Sequence, residues 1–157
     1  MQGEICATRL YREDLDQHKL VSSKAFQTGD VIARFQAKVE LDEPSWLTVQ
    51  VSEGRHIVLN PDILGSLNHS CDPNVFLDVE GMRLTALHPI PEGDELTFFY
   101  PSTEWAMAEP FECGCGAAGC IGRIGGARET PLSMLARYRL SPHIVRLIGA
   151  SMIPPRG

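Results

Sequence analysis

Four of the five cysteines in this 157-residue chain fall in a pattern that asks two distant segments to meet. Cys113-Gly114-Cys115 and then Cys120 put three thiols on one short loop. A closed structural zinc site takes four ligands in a tetrahedron, with Zn–S bonds of about 2.3 Å. The candidate for the fourth is Cys71, in the run Asn68-His69-Ser70-Cys71-Asp72-Pro73-Asn74. Gly114 and Gly116 bracket Cys115 and let the backbone turn tightly enough for neighbouring sulfurs to face one ion. Such an ion would be a long-range staple, and small zinc sites contribute ~10–16 kcal/mol of apparent free energy. A dithiol redox pair would leave two of the four thiols unexplained, while copper or an iron–sulfur cluster could also use four sulfurs. Cys6, beside Ile5 and Ala7, reads as a small buried hydrophobe.

The rest of the chain reads as short strands broken by turns. Asp30 to Phe35, Trp46 to Val51 and Arg55 to Leu59 carry β-branched and aromatic residues with partial alternation. Val75 to Val79 and Met82 to Leu87 flank Glu80-Gly81, which predicts a hairpin. Gln27-Thr28-Gly29-Asp30 and Pro91-Glu92-Gly93-Asp94 echo one another, each placing a Gly-Asp turn before a strand. After Gly126, Thr130-Pro131 and Ser141-Pro142 read as helix N-caps followed by proline at the first helical position. Leu132, Leu135 and Ala136 would share a face of the first short helix, and Ile144, Leu147 and Ile148 a face of the second. These helices are expected to complete the core or a homodimer contact, and Pro154-Pro155-Arg156-Gly157 to fray.

The net charge of -6 argues against unspecific nucleic-acid binding and suits a cationic substrate. No apolar run reaches the ~20 residues of a membrane-spanning helix. Met1-Gln2-Gly3-Glu4-Ile5 lacks a signal-peptide pattern, so the expected location is the cytoplasm, or the nucleus in a eukaryotic host.

Between the two cysteine-bearing segments lies Gly93-Asp94-Glu95-Leu96-Thr97-Phe98-Phe99-Tyr100. Asn-His-Ser-Cys-x-Pro-Asn, then Glu-Leu-Thr-Phe-x-Tyr, then Cys-x-Cys-x4-Cys, in that order, resembles the SET-domain lysine methyltransferases with their post-SET zinc loop. The likeness covers about residues 26–124. It implies a mainly β fold of several small sheets with pseudoknot-like C-terminal threading, a zinc-bound post-SET loop and short C-terminal helices. The implied divisions are 1–112 for the SET domain, 113–125 for the zinc loop and 126–157 for a helical tail.

The same resemblance implies S-adenosylmethionine as methyl donor and a lysine-bearing protein or peptide as substrate, and it favours zinc for Cys71, Cys113, Cys115 and Cys120. Donor and lysine would enter from opposite faces and meet in a narrow channel. Tyr100 matches the family's catalytic tyrosine. Phe98 matches the channel position where aromatic identity governs how many methyls fit, and a phenylalanine leans toward di- or trimethylation. Asn68 and His69 match the donor-contacting pair, His69 chiefly through its backbone, and Ile124 falls where an apolar residue covers adenine. His18, His56, His88 and His143 show no ligand spacing.

Three departures stand out. The family's Gly-x-Gly before the first Gly-Asp turn is replaced by Gln17-His18-Lys19, where Lys19 or His18 could reach the donor's carboxylate. Gly65-Ser66-Leu67 stands where many members have Arg-Phe-x. The mid-domain channel tyrosine is missing, with Trp46 or Phe76 as candidates to replace it. The rival readings are a non-catalytic SET module that binds a peptide or partner, and an enzyme of this fold acting on a small-molecule amine, suggested by the lack of a recruiting module.

Overall fold

A computed structural model describes residues 5–153, and the expected fraying of residues 154–157 lies outside them. Twelve short strands carry the chain: β1 (Ala7–Arg12), β2 (Gln17–Ser22), β3 (Val31–Arg34), β4 (Gln36–Leu41), β5 (Thr48–Ser52), β6 (Arg55–Asn60), β7 (Asn68–His69), β8 (Val75–Asp78), β9 (Arg83–Ala86), β10 (Thr97–Phe98), β11 (Phe111–Glu112) and β12 (Arg123–Ile124). They form five small sheets, ordered β1-β2, β3-β9-β8, β4-β6-β5, β7-β10 and β11-β12. Two helices follow, α1 (Leu132–Leu135) and α2 (Pro142–Ser151).

The expected strands at residues 30–35, 46–51, 55–59, 75–79 and 82–87 all form, shortened or shifted by a residue or two. The hairpin closes with Phe76 opposite Thr85 and Leu77 opposite Leu84. β1 and β4 carried no clear alternation because they lie at the surface, β4 along its whole length, whereas β2 starts exposed and ends buried at Leu20, Val21 and Ser22. The pairing of β1 and β4 comes from neighbours, not from an apolar face.

The two echoing Gly-Asp segments meet in space. Phe26 and Ile90 exchange both backbone hydrogen bonds at 2.9 Å, and Gly29 and Gly93 both take positive φ, 87° and 90°. Phe26 and Ile90 are buried there with Leu20, Ile32, Leu77, Leu84 and Leu96, the centre of the main core. Residues 95–98 run through the middle of the molecule. Leu96 N–H donates to Leu20 O at 2.7 Å, while Thr97 and Phe98 pair in parallel with Asn68 and His69. That double pairing carries the 68–74 segment to the end of the Glu-Leu-Thr strand.

A second core of Phe99, Ala127, Leu135 and Ile144 seats the C-terminal residues on the strands. Tyr138 lies flat on Phe99, with ring centroids 3.6 Å apart, and its hydroxyl donates to Cys71 O at 2.7 Å. The helix expectations need correction. In α1 only Leu135 is buried, whereas Leu132 and Ala136 face solvent, because one turn is too short to present a stripe. Neither expected cap bonds as one. Thr130 Oγ1 donates to Gly126 O at 2.8 Å, and Pro131 occupies the N-cap position of α1. Ser141 does hold the N-cap position of α2, with Pro142 next, but its hydroxyl is buried and unpartnered.

Candidate active site and metal centre

Cys71, Cys113, Cys115 and Cys120 converge so that all four sulfurs lie within 4.8 Å of one another. Cys71 Sγ is 3.8 Å from Cys113 Sγ and 3.9 Å from Cys120 Sγ. Four sulfurs at zinc's bond length would sit about 3.8 Å apart along each edge of a tetrahedron. The residues present therefore fit a tetrathiolate ion site. Burial pushes the Cys71 thiol up to about 11 and the Cys113 thiol higher still, so without a bound cation both favour the neutral form. Cys115 resists the same burial, and hydrogen bonding from Ala117 N–H and from its neighbours brings it down to about 6. A divalent ion would deprotonate all four.

The loop is held from outside the cluster as well. Cys113 N–H donates to Gly122 O at 2.6 Å, and Ile121 N–H donates to Cys71 Sγ at 3.4 Å. Beyond it, Phe111 pairs with Ile124 in the β11–β12 ribbon. Ile124, on the second strand of this ribbon, is fully buried and does not line either of the cavities that meet at Tyr100.

The His69 ring connects the cluster to the tyrosine. Tyr100 N–H donates to His69 Nδ1 at 3.1 Å, so the hydrogen sits on Nε2, 3.3 Å from Cys71 Sγ. Burial pushes this imidazole down to about 4, and it is neutral. The sequence expectation gave His69 a backbone role. Its ring in addition bridges the 68–74 segment and Tyr100. Asn68 Nδ2 donates to His18 O at 2.9 Å and to Glu95 Oε2 at 3.0 Å. The Gln17-His18-Lys19 stretch thus presents a backbone carbonyl to Asn68 where the family pattern has glycines.

Two cavities meet at Tyr100. The first, about 610 Å³, is lined by Arg12, Gln17, Asn68, His69, Glu95 and Cys113, among others. The second, about 250 Å³, is lined by Trp46, Leu67, Phe98 and Glu104, among others. Tyr100 and Phe111 line both. Tyr100 is half-buried, and its hydroxyl donates to Leu67 O at 2.7 Å. Desolvation, with help from the carboxylates of Glu104 and Glu95, pushes its phenol well above the usual 10, so it stays protonated. Phe98 packs against it with ring centroids 4.7 Å apart.

Of the two candidates for the missing channel tyrosine, Trp46 lines the smaller cavity. Phe76 lies elsewhere, under the Arg139 guanidinium at 4.1 Å. Lys19 is half-buried on β2 and does not line the larger cavity, where Arg12 does. Arg12, Phe111 and Glu104 were not read from the sequence. Phe111, two residues before Cys113, was the most accessible of them, because a zinc loop must hold its flanking residue close to the site. Among the other histidines, His143 Nε2 donates to Thr103 O at 2.7 Å and His88 Nδ1 lies 3.0 Å from Pro89 O, in keeping with structural roles.

The SET-domain family profile matches residues 17–101, which run from β2 past Tyr100 and include Asn68, His69 and Phe98 but not Phe111. The chain belongs to the SET-domain family. This SET domain is 36% identical over 131 residues to the methyltransferase flvH of Aspergillus flavus, covering 82% of this chain and 73% of flvH. It is 41% identical over 69 residues to an H3 lysine-36-specific histone-lysine N-methyltransferase of Chaetomium globosum, covering 40% of this chain and 8% of that protein. Among solved structures it resembles KRYPTONITE in complex with mCHG DNA and SAH, with a TM-score of 0.58 at 20% identity, over 77% of this chain and 30% of that one. That last likeness concerns the fold. The chain is a SET-domain methyltransferase, and among the described residues no helix is long and apolar enough to cross a membrane.

Proposed function

We propose that this protein transfers a methyl group from S-adenosylmethionine to the deprotonated amine of a lysine side chain on a protein or peptide. The observation that carries this reading is the pair of cavities that share Tyr100 and Phe111 as their common wall. A donor in one and an amine in the other would meet beside the Tyr100 hydroxyl. Bound in the larger cavity, the sulfonium donor supplies an electrophilic methyl carbon.

Asn68, fixed by its bonds to His18 O and Glu95, and the His69 backbone would form the donor's floor. Arg12, at the end of β1 and on the cavity wall, is the cation for its carboxylate. Ile124 would act on the adenine side through the β11–β12 ribbon, by setting the position of Phe111. On the amine side, Phe98, Tyr100 and Phe111 exclude water and align the nucleophile. Alignment alone can supply effective molarities of ~10⁵ M or more. Tyr100, kept protonated, orients the amine and does not act as its base. Lysine titrates near 10.4, so freeing its lone pair at pH 7 costs about 4.6 kcal/mol, and the apolar walls lower that cost. A solved neighbour was crystallised with an H3(1-15) peptide and SAH, which is consistent with a peptide substrate.

A small-molecule amine is the second reading. It uses the same two cavities and the same chemistry, and the relative matched over 73% of its length is a methyltransferase whose name states no substrate. Calorimetry with S-adenosylmethionine on zinc-loaded protein is the first test, followed by methyl transfer to a lysine peptide array and a panel of free amines. Absence of donor binding would leave a peptide-binding module as the function.

A further inference from the structure

Glu104 is the one buried carboxylate among the described residues, and it forms no ion pair with any lysine or arginine there. A buried acid without a counter-charge is destabilising unless something offsets it. Its known bonds do not need the charge. Oε2 accepts from Gln50 N–H at 3.0 Å and from Thr103 Oγ1 at 2.6 Å, and the neutral oxygen of an amide would accept both. What the carboxylate adds is a negative group on the wall of the smaller cavity, beside Tyr100 and Phe98.

We propose that Glu104 is the counter-charge for the substrate's ammonium in this cavity and takes its proton before methyl transfer, an inference that rests on the amine-methylating reading. In that step one N–H bond breaks and its electron pair stays on nitrogen as the attacking lone pair. The proton forms an O–H bond on Glu104 and leaves to water after the methylated ammonium departs. Residues around the group keep this exchange to Glu104. Burial pushes its acid up to about 7. The Tyr100 phenol is pushed up and stays protonated. His56, opposite Gln50 across β5 and β6, and His143, bonded to Thr103 O, are both pushed down by burial and stay neutral. Glu109 is the other carboxylate lining the cavity, and it is exposed.

The test uses n-butylamine, the ammonium end of a lysine side chain, with 1-butanol as its uncharged counterpart. Binding is followed by the NMR shift of the Trp46 indole, which lines the cavity. For wild type, butylamine affinity should rise about tenfold per pH unit below the Glu104 titration near 7 and then level off. Butanol should bind weakly at every pH. Glu104→Gln keeps both acceptor bonds, and it should bind butylamine roughly tenfold or more weakly at neutral pH, with no pH dependence. A flat wild-type profile, which needs no variant to observe, would overturn the proposal. So would a Glu104→Gln protein with wild-type affinity and profile. Calorimetry with S-adenosylmethionine on the same samples separates the two ideas: wild type that binds butylamine through Glu104 but not the donor would refute the methyltransferase reading alone.

Discussion

The Tyr100 hydroxyl donates to the Leu67 carbonyl at 2.7 Å, which ties the end of the Glu-Leu-Thr-Phe strand to the residue before Asn68. The bond fixes the phenolic oxygen at the wall shared by the two cavities and uses its only proton. The oxygen's lone pairs then remain for an amine N–H or a polarised methyl group.

Tyr100→Phe should therefore leave fold and donor affinity nearly intact, since the lost bond is worth about 1 kcal/mol. Methyl transfer in a single turnover should fall about 10²-fold, as for loss of a positioned transition-state group. Equal rates in the two proteins would make Tyr100 a packing aromatic.

The metal prediction is one zinc per chain in elemental analysis of the purified protein, with ligands at Cys71, Cys113, Cys115 and Cys120. Cys71→Ser should release it and lower the melting temperature, because the loop then loses its tie to the 68–74 segment. Chelation of wild type should do the same. A full complement of zinc in the mutant would place the fourth ligand elsewhere.

Asn68→Ala removes the donor of two hydrogen bonds and leaves His18 O and Glu95 Oε2 unpaired at the larger cavity. Affinity for S-adenosylmethionine should fall by roughly 1–3 kcal/mol, read by calorimetry. Unchanged affinity would move the donor's floor away from Asn68.

Folding stability should also report on Glu104. Its carboxyl is raised in the folded chain from an ordinary 4.5 to about 7 by burial, so its contribution is fully present below about pH 4.5 and is lost as pH rises to about 7. In denaturant titrations across that window, Glu104→Gln should lack this part of the pH dependence. At pH 8 it should be at least as stable as wild type. An identical slope in both proteins would mean the group ionises as readily folded as unfolded.

Ile144 is fully buried in the second core with Phe99, Ala127 and Leu135. Ile144→Ala should cost about 2–5 kcal/mol of stability. Because Tyr138 in the same cluster bonds to Cys71 O, zinc should also be lost at a lower chelator concentration, measured alongside the melt.

The parts legible in the sequence were those written as chemistry at fixed spacing. Three thiols on a Gly-rich loop demanded a fourth, and Cys71 supplied it because a closed ion site admits no shorter ligand set. Asn68, His69, Phe98 and Tyr100 were marked by their motifs, and β8 and β9 were marked by two apolar runs flanking the Glu80-Gly81 turn. What only the tertiary structure decided was what each segment meets. Surface strands β1 and β4 have no apolar period, so their pairing follows from the chain around them. The His69 ring bridging Tyr100 and Cys71, Phe111 on the shared wall and Glu104 lining the smaller cavity depend on contacts across 31 residues (His69 to Tyr100) and 54 residues (Gln50 to Glu104) or on loop geometry. Burial is a property of the assembled core, and no local pattern around Glu104 announced that its carboxylate would be enclosed.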